Sequence, residues 1–388
     1  MRKKSRIPTG ILILALIAVI VCALAVSLSD TSEPTPSDVP AWAPGALSYT
    51  SEPTDSSPPS QDTAPGMSSS PDTPPAMEPF TMTFGGDVLV ASDVASKLGS
   101  GEDYTRIIDP ALVDLFHDST LSFVNLESPY STRGTPAPDK QYTFRGAPKH
   151  LTFLTTLGIS AVTLANNHTL DFGAGALEDT LDGLDALGVG HAGAGRDLDE
   201  AQAPCLLTVG GRTVAFLAAS RVIPVTTWNA GPNSPGLFTT YDPAALNAAI
   251  AAARQHADLV VVYVHWGEER NPYPKDYQVN MARGYIDAGA DLVIGSHPHV
   301  LQGLEYYKGK WIAYSLGNLI FTDATKDTMA LQFTVSGDMI TPQAIFCRIR
   351  NMRTELVTDP DDRASLSRYL ESISYQVTVD ADGFIGGQ

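Results

Sequence analysis

The stretch Ile294-Gly295-Ser296-His297-Pro298-His299-Val300 decides how the rest of the chain is read. The run Ala290 to Ile294 before it predicts a buried strand. Gly295 and Ser296 end that strand, which puts both histidines on the loop at its C-terminal edge, where open α/β sheets bind ligands. Pro298 biases His297 toward extended backbone. Two imidazoles two positions apart on an extended chain face one centre. Ordinary turn histidines are the competing reading. Four further apolar runs that end in metal-capable polar clusters weigh against it.

Thr81 to Phe84 predicts a short strand running into Gly85-Gly86-Asp87, where the glycines permit a sharp turn and Asp87 projects from the end. Leu121 to Val124 ends in Asn125-Leu126-Glu127, whose two polar side chains share one side of an extended chain. Ser160 to Ala165 ends in Asn166-Asn167-His168, with Asp171 three further on. Asp258 to Val264 ends in His265-Trp266-Gly267-Glu268. Carboxylate, amide and imidazole donors in this mixture suit divalent ions of intermediate hardness, such as manganese, iron or zinc. A pair of such ions activates water and neutralises charge on a phosphoryl group. The expected ligands are Asp87, Glu127, Asn167, His265, His297 and His299, with His168 and Asp171 as acid–base residues. Asn125, Lys140, Arg145, Glu268 and Asn318 are the candidates for holding substrate.

Between these clusters the pattern alternates strands and helices. Asp139 to Ala147 predicts a strand leading into a helix near Pro148, with Lys140 and Arg145 as a local cationic pair in an acidic chain. They fit an anionic group, or they are solvated partners of nearby acids. Helices are expected at 104–116, 175–187, 243–256 and 277–288. Gly210-Gly211 and Lys308-Gly309-Lys310 mark hairpins. Met329 to Val335 and Gln343 to Ile349 predict further paired strands. The Gly-rich loop around His191 lacks the ending of a phosphate loop and is read as structural.

The chain has 388 residues and a formal net charge of −18, which argues against a nucleic-acid partner. Its N-terminus departs from that balance. Arg2, Lys3, Lys4 and Arg6 precede an uncharged apolar run from Ile11 to Leu28, long enough for a membrane helix. The basic flank places that end in the cytoplasm and the remainder outside. An uncleaved anchor is favoured over a signal peptide, whose apolar region is shorter. Ser29 to Pro79 is rich in Ser, Thr, Pro and acids, lacks Lys and Arg, and predicts a disordered stalk. The expected organisation is an anchor over 1–28, a stalk over 29–79, a folded domain over 80–350, and a tail over 351–388 with no assigned role. Cys205 and Cys347 are the two cysteines outside the apolar run, and their pairing is left open.

Several motifs jointly resemble the CapA family of poly-γ-glutamate capsule proteins. They are Gly85-Gly86-Asp87, Asn125-Leu126-Glu127, Tyr142-Thr143-Phe144-Arg145, Ala165-Asn166-Asn167-His168, His265-Trp266-Gly267-Glu268, Gly295 to His299 and Ser315-Leu316-Gly317-Asn318. The resemblance runs from about Phe80 to Val335 and implies a branch of the calcineurin-like metallophosphoesterases. It therefore implies an α/β fold: a two-sheet β sandwich flanked by helices in four layers. In that wider pattern Asp87 matches the first aspartate and Glu127 stands near the bridging carboxylate. Asn167-His168 match the Asn-His pair, and His265, His297 and His299 match the later histidines. Leu89 departs from it, because the superfamily carries a histidine there, which implies one metal position that is weaker or empty. The implied function is a membrane-anchored, extracytoplasmic role in capsule or poly-γ-glutamate synthesis with a metal-dependent hydrolase site. The alternative is a non-catalytic subunit that helps a polyglutamate synthase make, export or retain its polymer. An exported part of about −22 charge repels an anionic polymer at long range, so local cations must capture it.

Overall fold

The structure is a computed structural model that describes residues 78–388 and the short strand Ser48–Thr50. The Ile11–Leu28 run lies outside the described residues, as does the expected stalk apart from that strand and its last two positions. Among the described residues no helix is long and apolar enough to cross a membrane.

Four parallel strands open the domain: β1 (Phe80–Val88), β2 (Leu121–Leu126), β3 (Ala161–Thr163) and β4 (Gly190–Ala192). The chain then builds a second sheet from β5 (Cys205–Val209), β6 (Arg212–Ser220), β7 (Leu259–His265), β8 (Leu292–Ser296), β9 (Leu301–Tyr307) and β10 (Lys310–Leu316). It returns to the first sheet with β11 (Asn318–Ile320), β12 (Thr325–Ser336), β13 (Met339–Arg350) and β14 (Arg353–Leu356). The first sheet runs β14-β13-β12-β1-β2-β3-β4, with β11 beside β1. The second runs β5-β6-β7-β8-β10-β9, and Ser48–Thr50 extends it by pairing in parallel with β5. One short strand thus stands inside the segment expected to be disordered; Tyr49 and Thr50 have the β preference that its Pro and Ser neighbours lack.

The strands are apolar on both faces, because each sheet packs on both sides. In β7, Val261 and Tyr263 join the core between the sheets, while Val260, Val262 and Val264 join a second core under the helices Ala244–Arg254 and Asp276–Ala288. On the first sheet Val88, Val124 and Val162 pack against the helices Pro110–His117 and Ala174–Leu187. Phe123 bridges the sheets, with its ring 4.8 Å from Phe84 in its own sheet and 4.8 Å from Phe216 across the gap. Phe123→Ala is expected to cost about 3–5 kcal/mol, read as a lower urea midpoint with an unchanged slope.

Three expectations are corrected. Asp139–Ala147 is not a strand; apart from a single bridge between Tyr130 and Gly146 it is a loop, tied down by side-chain contacts. The helix expected over 104–116 is a 3-10 turn, Tyr104–Arg106, then a helix Pro110–His117, because Asp109 caps a new start and Pro110 fits its first turn. The tail after Asp359 is part of the core. Its helix Pro360–Ser372 and strands Val377–Val379 and Ile385–Gly387 bury Leu366, Leu370, Ile373, Val377 and Ile385 with Leu301 and Leu304 of β9. Cys205 and Cys347 are both buried free thiols, pushed up to about 12 by burial.

Candidate metal centre

The strand ends of both sheets meet at one edge. Asp87 sits opposite Asn125 in the β1–β2 register and opposite Asn318 in the β1–β11 register. His265 ends β7 opposite Ser296, which ends β8. Gly86 allows this convergence, since a side chain there would collide with the Gly317 carbonyl at 1.9 Å. The histidine loop differs from its expected geometry. The strand runs through Ser296, and His297 and His299 have φ of 98° and 56°, so neither is extended. Such backbone is costly for residues with a Cβ and marks functional sites. It turns both imidazoles into the cluster without strand alternation.

Two sets of donors result. In the first, Asp87, Glu127 and His299 place one ligand atom each within 4.8 Å of one another. His299 Nδ1 is 3.3 Å from Asp87 Oδ2, and its Nε2 is 3.9 Å from Glu127 Oε1. In the second, His265 Nε2 lies 2.7 Å from Asn167 Oδ1 and 3.1 Å from His297 Nδ1. Asp87 joins the sets, because its Oδ2 accepts the His297 backbone N–H at 3.3 Å. Asn125 braces the middle: its amide donates to Asp87 Oδ1 at 2.7 Å, and its own Oδ1 accepts from Asn166 at 3.0 Å. Asn318 Oδ1 lies 2.8 Å from His299 Nδ1, and the Asn318 Nδ2 amide donates to Asp323 Oδ2.

His168 stands beside this centre with its ring 4.7 Å from Phe144. Its Nδ1 is 2.7 Å from Asp171 Oδ2, and the same oxygen accepts the Phe144 backbone N–H at 2.7 Å. Lys140 is drawn inward onto Asp171, His168 Nδ1 and the Asn167 carbonyl. The remaining substrate candidates stand apart from the donors. Arg145 donates to the Arg133 carbonyl at 2.8 Å and lies 4.2 Å over the Phe172 ring. Glu268 is exposed and pairs with Lys275 at 2.5 Å. Asn166, Ser296 and Asp323 were not among the expected site residues. They brace ligands rather than line the centre; Asn166, inside the Asn-Asn-His run, and Ser296, inside the Gly295 to His299 stretch, carried a signal in the sequence, and Asp323 did not.

The electrostatics follow from burial. Glu127 is driven well above the carboxylate range, first by desolvation and then by the Asp87 charge. Burial also acts to raise Asp87, but His299 and Asn125 outweigh it and hold the group below its usual value. Burial would lower His299; Glu127 and Asp87 overcome it and carry the imidazole up to about 10. Burial and then the His299 charge take His297 down to about 3, and burial followed by His297 and His299 takes His265 well below its usual range. Neutral imidazole is the ligand form. The buried Glu127 Oε1 accepts no hydrogen bond among the described residues. Two fully buried carboxylates, an orphaned oxygen, two neutral imidazoles and an amide oxygen fit a divalent cation.

The pH dependence has a definite sign. His297 has its folded value below its unfolded one, so the unfolded chain binds the extra proton between pH 6.5 and about 3. Each such histidine is expected to make the metal-stripped protein lose about 1.4 kcal/mol per pH unit on acidification across that window, partly offset above pH 4.5 by Glu127, whose raised value acts in the opposite direction. His297→Asn is expected to flatten the slope in urea titrations; an unchanged slope rejects the assignment.

The fold and this edge define an α/β protein with a buried carboxylate–imidazole centre where two sheets end together. The chain belongs to the family described as bacterial capsule synthesis protein PGA_cap, whose model matches residues 81–323. It is 32% identical over 271 residues to the PGA biosynthesis protein CapA of Bacillus subtilis, covering 66% of this chain and 70% of that protein. The capsule biosynthesis protein CapA of Bacillus anthracis is 32% identical over 268 residues, covering 66% of this chain and 64% of that protein. A Mycobacterium tuberculosis protein named "Probable polyglutamine synthesis accessory protein" is 28% identical over 340 residues, covering 81% of this chain and 90% of its own. The matched segment of 81–323 opens within β1 and closes at Asp323, so it contains every residue of the centre.

Proposed function

We propose that this chain is an extracytoplasmic protein of capsule or poly-γ-glutamate synthesis, anchored in the cell membrane through Ile11–Leu28 and carrying a metal-dependent hydrolase centre of metallophosphoesterase type. The names of its relatives support the pathway. The observation that carries the chemistry is the buried, unpartnered Glu127 oxygen beside Asp87 and His299. Asp87, Glu127 and His299 would hold manganese, iron or zinc, and Asn167, His265 and His297 would hold a second ion. A divalent cation there supplies Lewis-acid polarisation of a substrate oxygen.

The chain's own residues do the rest. Asp171 fixes the His168 ring through Nδ1, which leaves Nε2 free to take up a proton and then pass it to a leaving oxygen. Lys140 and the Phe144 N–H hold Asp171 in turn. Asn125 keeps Asp87 and Asn166 in register. Leu89, fully buried where the wider superfamily has histidine, favours one tightly held ion.

That same substitution favours a second reading, an accessory subunit of a polymer synthase with a vestigial centre. The test is metal analysis of the detergent-purified full chain with a phosphodiester assay on wild type and His297→Ala. Bound metal and hydrolysis that falls in the variant support the enzyme. Absence of both supports the accessory subunit.

A further inference from the structure

Arg221 follows directly on Ser220, the last residue of β6, and its backbone N–H donates to the His265 carbonyl at 2.8 Å. It therefore starts beside a residue of the centre. Ser220 pins the turn, accepting the Val222 N–H at 3.1 Å and donating to the Val222 carbonyl at 2.7 Å. The Arg221 guanidinium lies between two tyrosine rings, 4.6 Å from the centroid of Tyr241 and 4.6 Å from that of Tyr277. Both rings are anchored. The Tyr277 hydroxyl accepts the Gly267 N–H at 2.9 Å, and the Tyr241 hydroxyl accepts the Ile223 N–H at 3.2 Å. Gly267 in turn abuts Pro298, since a Cβ there would meet the proline ring at 2.9 Å. The cradle is thus packed onto the loop that carries His297 and His299.

Arg221 makes no side-chain hydrogen bond and no ion pair among the described residues, and its Nε is buried without a partner. A buried, unpartnered Nε on an arginine with no ion pair sets Arg221 apart from the arginines that the acidic chain neutralises. Arg133, Arg196, Arg254, Arg283 and Arg348 all pair with carboxylates. The two cations first expected to hold an anion are engaged internally, Lys140 by Asp171 and Arg145 by backbone carbonyls. Stacking fixes the guanidinium plane but satisfies none of its N–H donors. A planar fork held flat with free donors matches a carboxylate or phosphoryl oxyanion.

We propose that Arg221, held between Tyr241 and Tyr277 beside the metal centre, is the residue that captures an oxyanion of the substrate, either a carboxylate or a phosphoryl group. The proposal rests on the hydrolase reading for the meaning of "substrate", but the binding itself does not depend on a metal. It also explains how so acidic a protein admits an anion: the attraction is local, against a repulsive long-range field.

The test is calorimetric titration of the detergent-purified full chain with inorganic phosphate and, separately, with a γ-linked glutamate oligomer. Wild type is expected to bind at least one of them. Arg221→Gln is expected to weaken that binding tenfold or more without changing metal content. Arg221→Lys is expected to recover little, because an ammonium lacks the fork. Repeating the titrations on chelator-treated protein is expected to keep the loss of affinity on Arg221→Gln, which separates this proposal from the metal reading. Should Arg221→Gln fail to fold, Tyr241→Leu removes one face of the cradle at a half-exposed position and is expected to weaken binding several-fold. A preference for phosphate identifies the phosphoryl class, and a preference for the oligomer identifies the carboxylate class. The proposal is overturned if neither probe binds wild type, or if Arg221→Gln lowers the melting temperature and leaves the affinities unchanged, which would make Arg221 a structural staple.

Discussion

Asp87→Ala is expected to abolish tight binding of a divalent ion and to lower any hydrolysis by about 10²-fold or more, the scale on which a preorganised charge acts in a buried site. Asp87 stands in the first donor set and also holds the His297 backbone, so its loss affects both sets. The stability readout separates metal loss from misfolding. An ion at a hundred times its dissociation constant stabilises the fold by about 2.7 kcal/mol, which raises the melting temperature of a domain of this size by several degrees. Wild type should show that rise on adding manganese or zinc, and Asp87→Ala should not. The metal-free melting temperatures should stay close, because two effects oppose each other. The variant strands the Asn125 amide and the His299 imidazole, yet it relieves the repulsion that keeps Glu127 from ionising. A variant that retains the same ion count as wild type rules out Asp87 as a ligand.

Truncation after Thr358 is expected to leave no soluble domain. The removed segment buries Leu366, Leu370, Ile373, Val377, Val379 and Ile385. At roughly 2 kcal/mol for each buried apolar side chain, the loss is on the order of 10 kcal/mol, comparable with the whole net stability of a domain. It also bares β9, an edge strand of the second sheet. The tail covers that edge closely: the Tyr375 N–H donates to the Leu304 carbonyl at 2.7 Å, and the Ser374 hydroxyl accepts the Leu304 N–H at 2.9 Å. Gly303 permits the approach, since a Cβ there would meet the Ile373 carbonyl at 1.9 Å. Gly303→Val is expected to reproduce part of the truncation, with aggregation on expression and faster proteolysis after Thr358. Because β9 follows His299 by a single residue, both changes also loosen the centre. A truncated chain that folds and binds metal normally refutes the assignment.

The sequence made the strand ends legible because each apolar run stops at a polar cluster, and the parallel strands of the two mixed sheets set those stops at one edge. Asp87, Glu127, Asn167, His265, His297 and His299 are read this way, one local pattern at a time. What failed was whatever depends on distant contacts. Lys140 to Arg145 alternates like a strand, yet Asp171 and backbone carbonyls hold it as a loop. The tail helix is polar over most of its surface, and only Leu366, Leu370 and Ile373 mark its buried stripe. The turned backbone of His297 and His299 contradicts the preference that Pro298 suggests, because the cluster overrides it. Arg221 carries no local signal at all; its character comes from Tyr241 and Tyr277, twenty and more positions away.

The two sealed thiols have a use of their own. Cys205 belongs to the core between the sheets, and Cys347 to the core beneath the first sheet's helices. A maleimide or other alkylating agent finds neither while the layers are closed, so each sulfur is a built-in clock for the opening of its own layer. Timed labelling of unmodified protein can therefore tell whether the two hydrophobic compartments come apart together or one before the other.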